Sequence, residues 1–169
     1  LTLTGAQAEH LEAVIEKLQQ AGVEIEHPAP GQMRLRAPKK LRPVDVTTEE
    51  HPGFPTDMQA QWMALMAFAG GVAHVTETIF ENRFMHVAEL LRMGAEIELS
   101  GNQATIRGKQ SLSGAAVMAS DLRASACLVL AALAAQGETL IQRVYHLDRG
   151  YERMDEKLAA AGAEIERIE

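Results

Sequence analysis

Two short stretches place a small hydroxyl residue and an aspartate just ahead of a long apolar run, Thr56-Asp57-Met58-Gln59-Ala60 and Ser120-Asp121-Leu122-Arg123-Ala124. After the next strand-like segment each is followed by an arginine beside a carboxamide or carboxylate, Asn82-Arg83 and Asp148-Arg149. Guanidinium groups grip carboxylate or phosphate oxygens in a fixed geometry, so the arginines suit an anion site. Apolar patterns repeat for packing reasons, whereas acids and arginines that recur at element ends point to a shared site. The expectation is a repeated scaffold that aims acids and arginines at one cleft.

These residues also have ordinary structural uses. Thr56 with Asp57 and Ser120 with Asp121 have the residue types of helix N-caps, and Thr56 with Gln59 fits a capping box. Arg83, Arg123 and Arg149 are expected at or near helix starts, where backbone N–H groups and the helix dipole favour an anion and a guanidinium reinforces the site. The six histidines, His10, His27, His51, His74, His86 and His146, show no paired ligand spacing, which points away from a zinc or iron site. Cys127 lies within an apolar run and reads as a small core residue. As the single cysteine it forms no internal disulfide and fits a reducing cytoplasm. The glycines match neither a dinucleotide fingerprint nor a P-loop, and Lys39, Lys40 and Arg42 read as a solvated basic loop.

At 169 residues, 47% hydrophobic and 23% charged, the chain has the composition of one or at most two globular domains. A net charge of -7 argues against nucleic acid as the main partner, while a small anionic ligand needs only local arginines. The longest apolar stretch, residues 124–135, is too short to span a bilayer, so no membrane partner is expected.

Three segments share one ending, an amphipathic helix, a glycine and a short alternating strand with outward glutamates: residues 10–26, 86–98 and 151–166. Gly22 to Gly94 and Gly94 to Gly162 are 72 and 68 residues apart, a period that suits three similar α/β units. In the first, Leu11, Val14, Ile15 and Leu18 form one apolar stripe, and Gly22 ends the helix in a left-handed conformation. The second and third units open instead on helices that are apolar almost all round, residues 57–70 and 121–137. Strands are expected at 71–78, 95–99, 103–107, near 114–118 and at 138–144. Alternation of helix and strand normally means helices outside a sheet. Helices apolar on every side must be buried, so the expected architecture is the reverse, an inside-out α/β barrel of βαβαββ units with helices inside and sheets outside. The unit boundaries are expected near 1–52, 53–119 and 120–169, and the first unit lacks the buried helix of the other two. That gap suggests a fragment cut within the first unit, with an exposed apolar face where the helix belongs.

Four motifs carry a family resemblance. Phe54-Pro55-Thr56-Asp57-Met58-Gln59-Ala60-Gln61, Glu77-Thr78-Ile79-Phe80-Glu81-Asn82-Arg83-Phe84-Met85-His86, Ser120-Asp121-Leu122-Arg123-Ala124-Ser125-Ala126 and His146-Leu147-Asp148-Arg149-Gly150-Tyr151-Glu152-Arg153 together resemble the UDP-N-acetylglucosamine enolpyruvyl transferases of bacterial peptidoglycan synthesis. The resemblance runs along the whole chain but corresponds to less than half of that family's sequence, its C-terminal part. It implies a two-domain cytoplasmic enzyme with substrates in the cleft between the domains, of which this chain is most of the second. The implied reaction moves the enolpyruvyl group of phosphoenolpyruvate onto the 3-hydroxyl of UDP-N-acetylglucosamine and releases phosphate, with no metal or organic cofactor.

By the same resemblance, Asp57 matches a carboxylate beside the attacking hydroxyl, suited to a general base. Ile79 matches a backbone contact to the sugar nucleotide. Arg83 and Arg123 match arginines for the phosphoenolpyruvate carboxylate, Arg149 one that grips its phosphate, and Asp121 a second acid near the reacting carbons. The family's mobile loop with its acid residue, and a lysine–asparagine pair for phosphate, belong to the other, N-terminal domain, which is thus an implied partner. The chain alone is expected to have no turnover. The alternative is a standalone non-catalytic domain of the same fold that binds a sugar nucleotide or another anion.

Overall fold

The computed structural model describes residues 1–168; Glu169, the last residue of the third expected unit, lies outside them. Period-two segments become strands wherever a neighbouring strand accepts their backbone hydrogen bonds. β1 (Thr2–Thr4), β2 (Glu24–Glu26) and β3 (Gln32–Arg36) form an antiparallel sheet in the order β1-β3-β2, with Ile25 opposite Leu35. α1 (Glu12–Gln20) connects β1 to β2 and ends before Gly22, whose φ of 102° is the left-handed turn expected there. Val14 is buried on it, but Leu11 is exposed, because a short 3-10 turn at Ala8–His10 precedes the helix and Leu11 falls at their junction.

The second segment contains the full strand, helix, strand, helix, strand, strand order. β4 (Val46–Thr47), β5 (Val72–Thr76), β6 (Glu96–Ser100) and β7 (Gln103–Arg107) make a sheet in the order β4-β5-β7-β6. β4 runs parallel to β5, and the other pairs are antiparallel. Between the strands lie α2 (Gln59–Met66) and α3 (Val87–Arg92). β8 (Ala116–Met118) and β9 (Leu140–Gln142) pair in parallel around α4 (Leu122–Ala134), followed by α5 (Tyr145–Asp148) and α6 (Met154–Ala160). Each later sheet therefore takes its first strand from before residue 53 or residue 120.

The helices expected to be buried are inside. On α2 every residue but Leu65 is buried, and α2 packs along α4, where Ala124 to Val129 and Ala131 are buried. Met63, Met66 and Leu128 are fully enclosed, and each such side chain stabilises the fold by about 1.5–3 kcal/mol. Trp62 packs edge-on against Phe54, with ring centroids 5.5 Å apart, and donates Nε1–H to the carbonyl of Val44 at 3.1 Å. α4 is less enclosed at its C-terminal end, where Leu130 and Leu133 are exposed. Sheet and helix approach closely behind α2: the Gly108 amide donates to Gly71, and a Cβ at Gly108 would lie 1.8 Å from the Ala69 carbonyl oxygen, so only glycine fits.

One expected strand does not form. Residues 162–166 carry the same alternation as β2 and β6, but those two pair with β3 and β7, and no strand lies beside 162–166 among the described residues. An alternating pattern without a ladder partner stays irregular. Arg167 instead holds both oxygens of Asp148, at 2.9 and 2.7 Å, and reaches Asp155.

His86, which opens α3, is 2% exposed, and its Nε2 lies 3.3 Å from the Met63 sulfur. Burial lowers its pKa from 6.5 to about 4, against smaller upward pulls from Asp121 and the Arg83 carbonyl. The unfolded chain therefore binds a proton at this site before the folded one does. The stability His86 contributes is complete above pH 6.5 and is lost as pH falls towards 4, by about 3 kcal/mol at most. A His86→Leu variant is expected to show a shallower loss of stability across that window than the parent, by urea denaturation at a series of pH values. Leu128→Ala, between the central helices, is expected to lower stability by about 2–5 kcal/mol in the same measurement.

Candidate functional site

Three of the residues expected at the site come together. Asp57 sits on a 3-10 turn, Thr56–Met58, that leads into α2; Arg123 lies in the first turn of α4; and Arg83 lies in the turn between β5 and α3. Asp57 Oδ1 accepts from Arg123 Nε at 2.5 Å and lies 3.6 Å from Arg83 Nη2. One carboxylate oxygen is thus shared by two guanidiniums, and the hydrogen bond to Asp57 is the main cause raising the Arg123 pKa. The Arg83 guanidinium also lies over the Phe80 ring, 4.5 Å from its centroid, a cation–π contact that fixes its direction. Asn82, just before it, has φ 56°, a left-handed conformation that asparagine tolerates better than most residues.

The arginines line a recess of about 150 Å³ with Thr56, Gln59, His86 and Asp121. Gln59 Nε2 and Arg83 Nε are enclosed and have no hydrogen-bond partner among the described residues. With two guanidinium side chains in its wall the recess suits an anion carrying several acceptor oxygens. His86 adds no positive charge near neutral pH, since its pKa is lowered to about 4 by burial. A separate recess between residues 9–14 and 51–55 contains none of these residues.

The two hydroxyl–aspartate pairs do different things. Asp121 is a true N-cap: its Oδ1 accepts from the amides of Arg123 at 2.8 Å and Ala124 at 3.0 Å. That leaves Oδ2 as the oxygen open to other chemistry. Thr56 makes no cap and no capping box with Gln59, because its hydroxyl is drawn away to a buried carboxylate, donating to Glu77 Oε2 at 2.9 Å. Asp57 does not cap α2 either, since a 3-10 turn places it ahead of the helix with its side chain turned to the arginines.

Arg149 departs from expectation. It follows α5 at that helix's C-terminal end, not at a helix start, because residues 144–148 form a helical turn of their own. There the dipole favours the guanidinium itself and does not assist an anion. Arg149 is exposed and does not line the recess. Its neighbour Asp148 is engaged by Arg167, which lowers the Asp148 pKa. Ile79 is half-buried, and its N–H is taken by Glu77 Oε1 at 2.9 Å, so its carbonyl is the backbone group left for a ligand. Cys127 is fully buried and its thiol pKa is pushed well up by desolvation, as befits a core residue. Among the described residues no group of three or more His, Cys, Asp or Glu side chains is placed to hold a metal ion, and no helix is long and apolar enough to cross a membrane.

Glu77 and His86 were not singled out as site residues from the sequence. A signal for Glu77 was present: Ala73, Val75 and Glu77 are the inward positions of one period-two run, so a carboxylate had to point into the protein at the end of β5.

Residues 1–158 match the family described as EPSP synthase (3-phosphoshikimate 1-carboxyvinyltransferase). The chain is 59% identical over its full length to UDP-N-acetylglucosamine 1-carboxyvinyltransferase of Solibacter usitatus, and 60% identical over 167 residues to the protein of that name from Anaeromyxobacter. It spans 40% and 39% of those two relatives. Among solved structures, the enolpyruvyl transferase NikO from Streptomyces tendae superposes with a TM-score of 0.88 at 31% identity, over 98% of this chain and 39% of that one. The EPSP synthase of Acinetobacter baumannii, at 20% identity and a TM-score of 0.61 over 83% of this chain and 34% of its own, shares the fold. The inside-out arrangement of helices and sheets is thus that of these transferases, and the chain belongs to the EPSP synthase family, resembling its UDP-N-acetylglucosamine 1-carboxyvinyltransferases from end to end.

Proposed function

We propose that the chain is most of one domain of a cytoplasmic transferase and forms one wall of its active-site cleft. That transferase moves the enolpyruvyl group of phosphoenolpyruvate to the 3-hydroxyl of UDP-N-acetylglucosamine and releases phosphate, a step of peptidoglycan synthesis. The observation that carries the reading is the Asp57 carboxylate held between Arg83 and Arg123, the two arginines that line the recess. Identity of 59% to a protein named for that activity supports the choice of substrates.

The groups present suit that chemistry. The hydroxyl oxygen adds to C2 of phosphoenolpyruvate and a proton adds to C3, giving a tetrahedral adduct; loss of phosphate and a C3 proton restores the double bond. Arg83 and Arg123 bind the carboxylate, and an anion gripped by them competes with Asp57 for the same guanidiniums. Substrate binding then releases the Asp57 carboxylate to take the proton of the attacking hydroxyl. Asp121, with Oδ1 committed to the α4 amides, has Oδ2 for proton transfer near the reacting carbons. The Ile79 carbonyl contacts the sugar nucleotide, and Arg149, exposed at the end of α5, grips phosphate. The remaining phosphate and proton-donor groups come from the other domain.

Asp57→Asn in the whole transferase is expected to lower kcat by about 10²–10⁴-fold, and Arg123→Ala to raise KM for phosphoenolpyruvate, both followed by phosphate release. This chain by itself is expected to release no phosphate from the two substrates; turnover by it alone would refute the division of the site between two domains. Binding of the sugar nucleotide by the whole protein without any phosphate release would favour the non-catalytic module instead.

A further inference from the structure

Glu77 is 3% exposed, and among the described residues no cation pairs with it. Burying a carboxylate without a counter-ion is costly unless donors satisfy both oxygens. Here four donors do so. Oε1 accepts from the Thr48 hydroxyl at 2.9 Å and from the amides of Ile79 at 2.9 Å and Phe80 at 3.1 Å, and Oε2 accepts from the Thr56 hydroxyl at 2.9 Å. The backbone around it is pinned as well. Glu77 exchanges hydrogen bonds with Asn102 in the β6–β7 turn, and Thr48, fully buried, bonds to Thr76 and Thr78.

The donors come from three places, the end of β4 at Thr48, the turn at Thr56 and the loop at Ile79 and Phe80. Thr56 precedes Asp57 in the turn ahead of α2. Ile79 and Phe80 begin the loop that leads to Arg83, and the Phe80 ring supports the Arg83 guanidinium. We propose that Glu77 is a positioning residue whose buried carboxylate ties the Asp57 turn to the Arg83 loop and so sets the separation of acid and arginine. Hydrogen bonds to a carboxylate are shorter and stronger than those to a neutral acceptor, which gives a stiff tether between two irregular segments. Glu77 does not line the recess, so its influence passes through Thr56 and Phe80.

The role rests on the transferase reading, and the test separates the two. In the whole transferase, Glu77→Gln reverses the polarity of the contact to Thr56 while keeping its shape, and Thr56→Val removes the hydroxyl. Each is expected to lower kcat by about 10- to 100-fold, the scale for a misplaced reacting group, with KM for both substrates little changed. The double variant is expected to be no slower than the worse single one, because both alter the same contact. Thr56→Ser, which keeps the hydroxyl, is expected to restore most of the rate, while Ile106→Val in β7 lowers Tm and leaves kcat alone. Wild-type kcat in Thr56→Val and Glu77→Gln, or fully additive losses, would overturn the assignment. Should the wild-type protein show no transfer, the function reading fails, and NMR of the same variants still decides the positioning role. Displaced Asp57 carboxyl and Arg83 Nε resonances in Glu77→Gln and Thr56→Val, but not in Ile106→Val, support it; unmoved resonances overturn it.

Discussion

α2 and α4 lie side by side with their N-terminal ends together, and the site exists because of that packing. Both helices put wholly enclosed apolar side chains such as Met63 and Leu128 into the core. The consequence of the packing at the helix starts is polar. The turn before α2 carries Asp57, the first turn of α4 carries Arg123, and the two are joined by a direct hydrogen bond. Sheets on the outside then serve to hold the loops: β5 delivers the segment from Glu77 to Arg83 to the same end of the helix pair.

Two positive groups this close would repel one another if no acid lay between them. Asp57 supplies that acid, and it is the more exposed partner, while Arg83 and Arg123 are partly sunk into the protein. An anion arriving from solvent therefore meets guanidiniums already aimed, which lowers the reorganisation needed on binding. The cap made by Asp121 fixes the first turn of α4 and with it the start of the Arg123 side chain. Glu77 does the same for the other two segments from behind, without touching the recess. The acidic groups thus divide into one that joins the two arginines, one that caps α4 and lines the recess, and one that is wholly internal.

Much of this was legible in the chain. Residues 103–107 form a strand with the expected bounds, and 95–99 and 71–78 fall within a residue or a few of β6 and β5. The two all-apolar helices were enough to place helices inside. The motif residues Asp57, Arg83 and Arg123 do meet. Two of the failures share a cause, since each concerned a partner that local pattern cannot supply. Residues 162–166 alternate like a strand but have no ladder beside them. Thr56 has the chemistry of an N-cap, yet a buried carboxylate 21 residues away takes its hydroxyl. Arg149 follows a short helix that no periodicity announced.

The sequence by itself determined most of the helices and strands, which helices must be buried, and which residue types recur at element ends, because hydrophobic period and side-chain chemistry are local properties. Only the tertiary structure decided that Asp57 faces two arginines, that Thr56 answers to Glu77 and not to its own helix, and that Arg149 stands apart from the recess. Those outcomes depend on distances between segments far apart in the chain, set by the packing of α2 on α4 and by the hydrogen-bonding demands of a buried carboxylate.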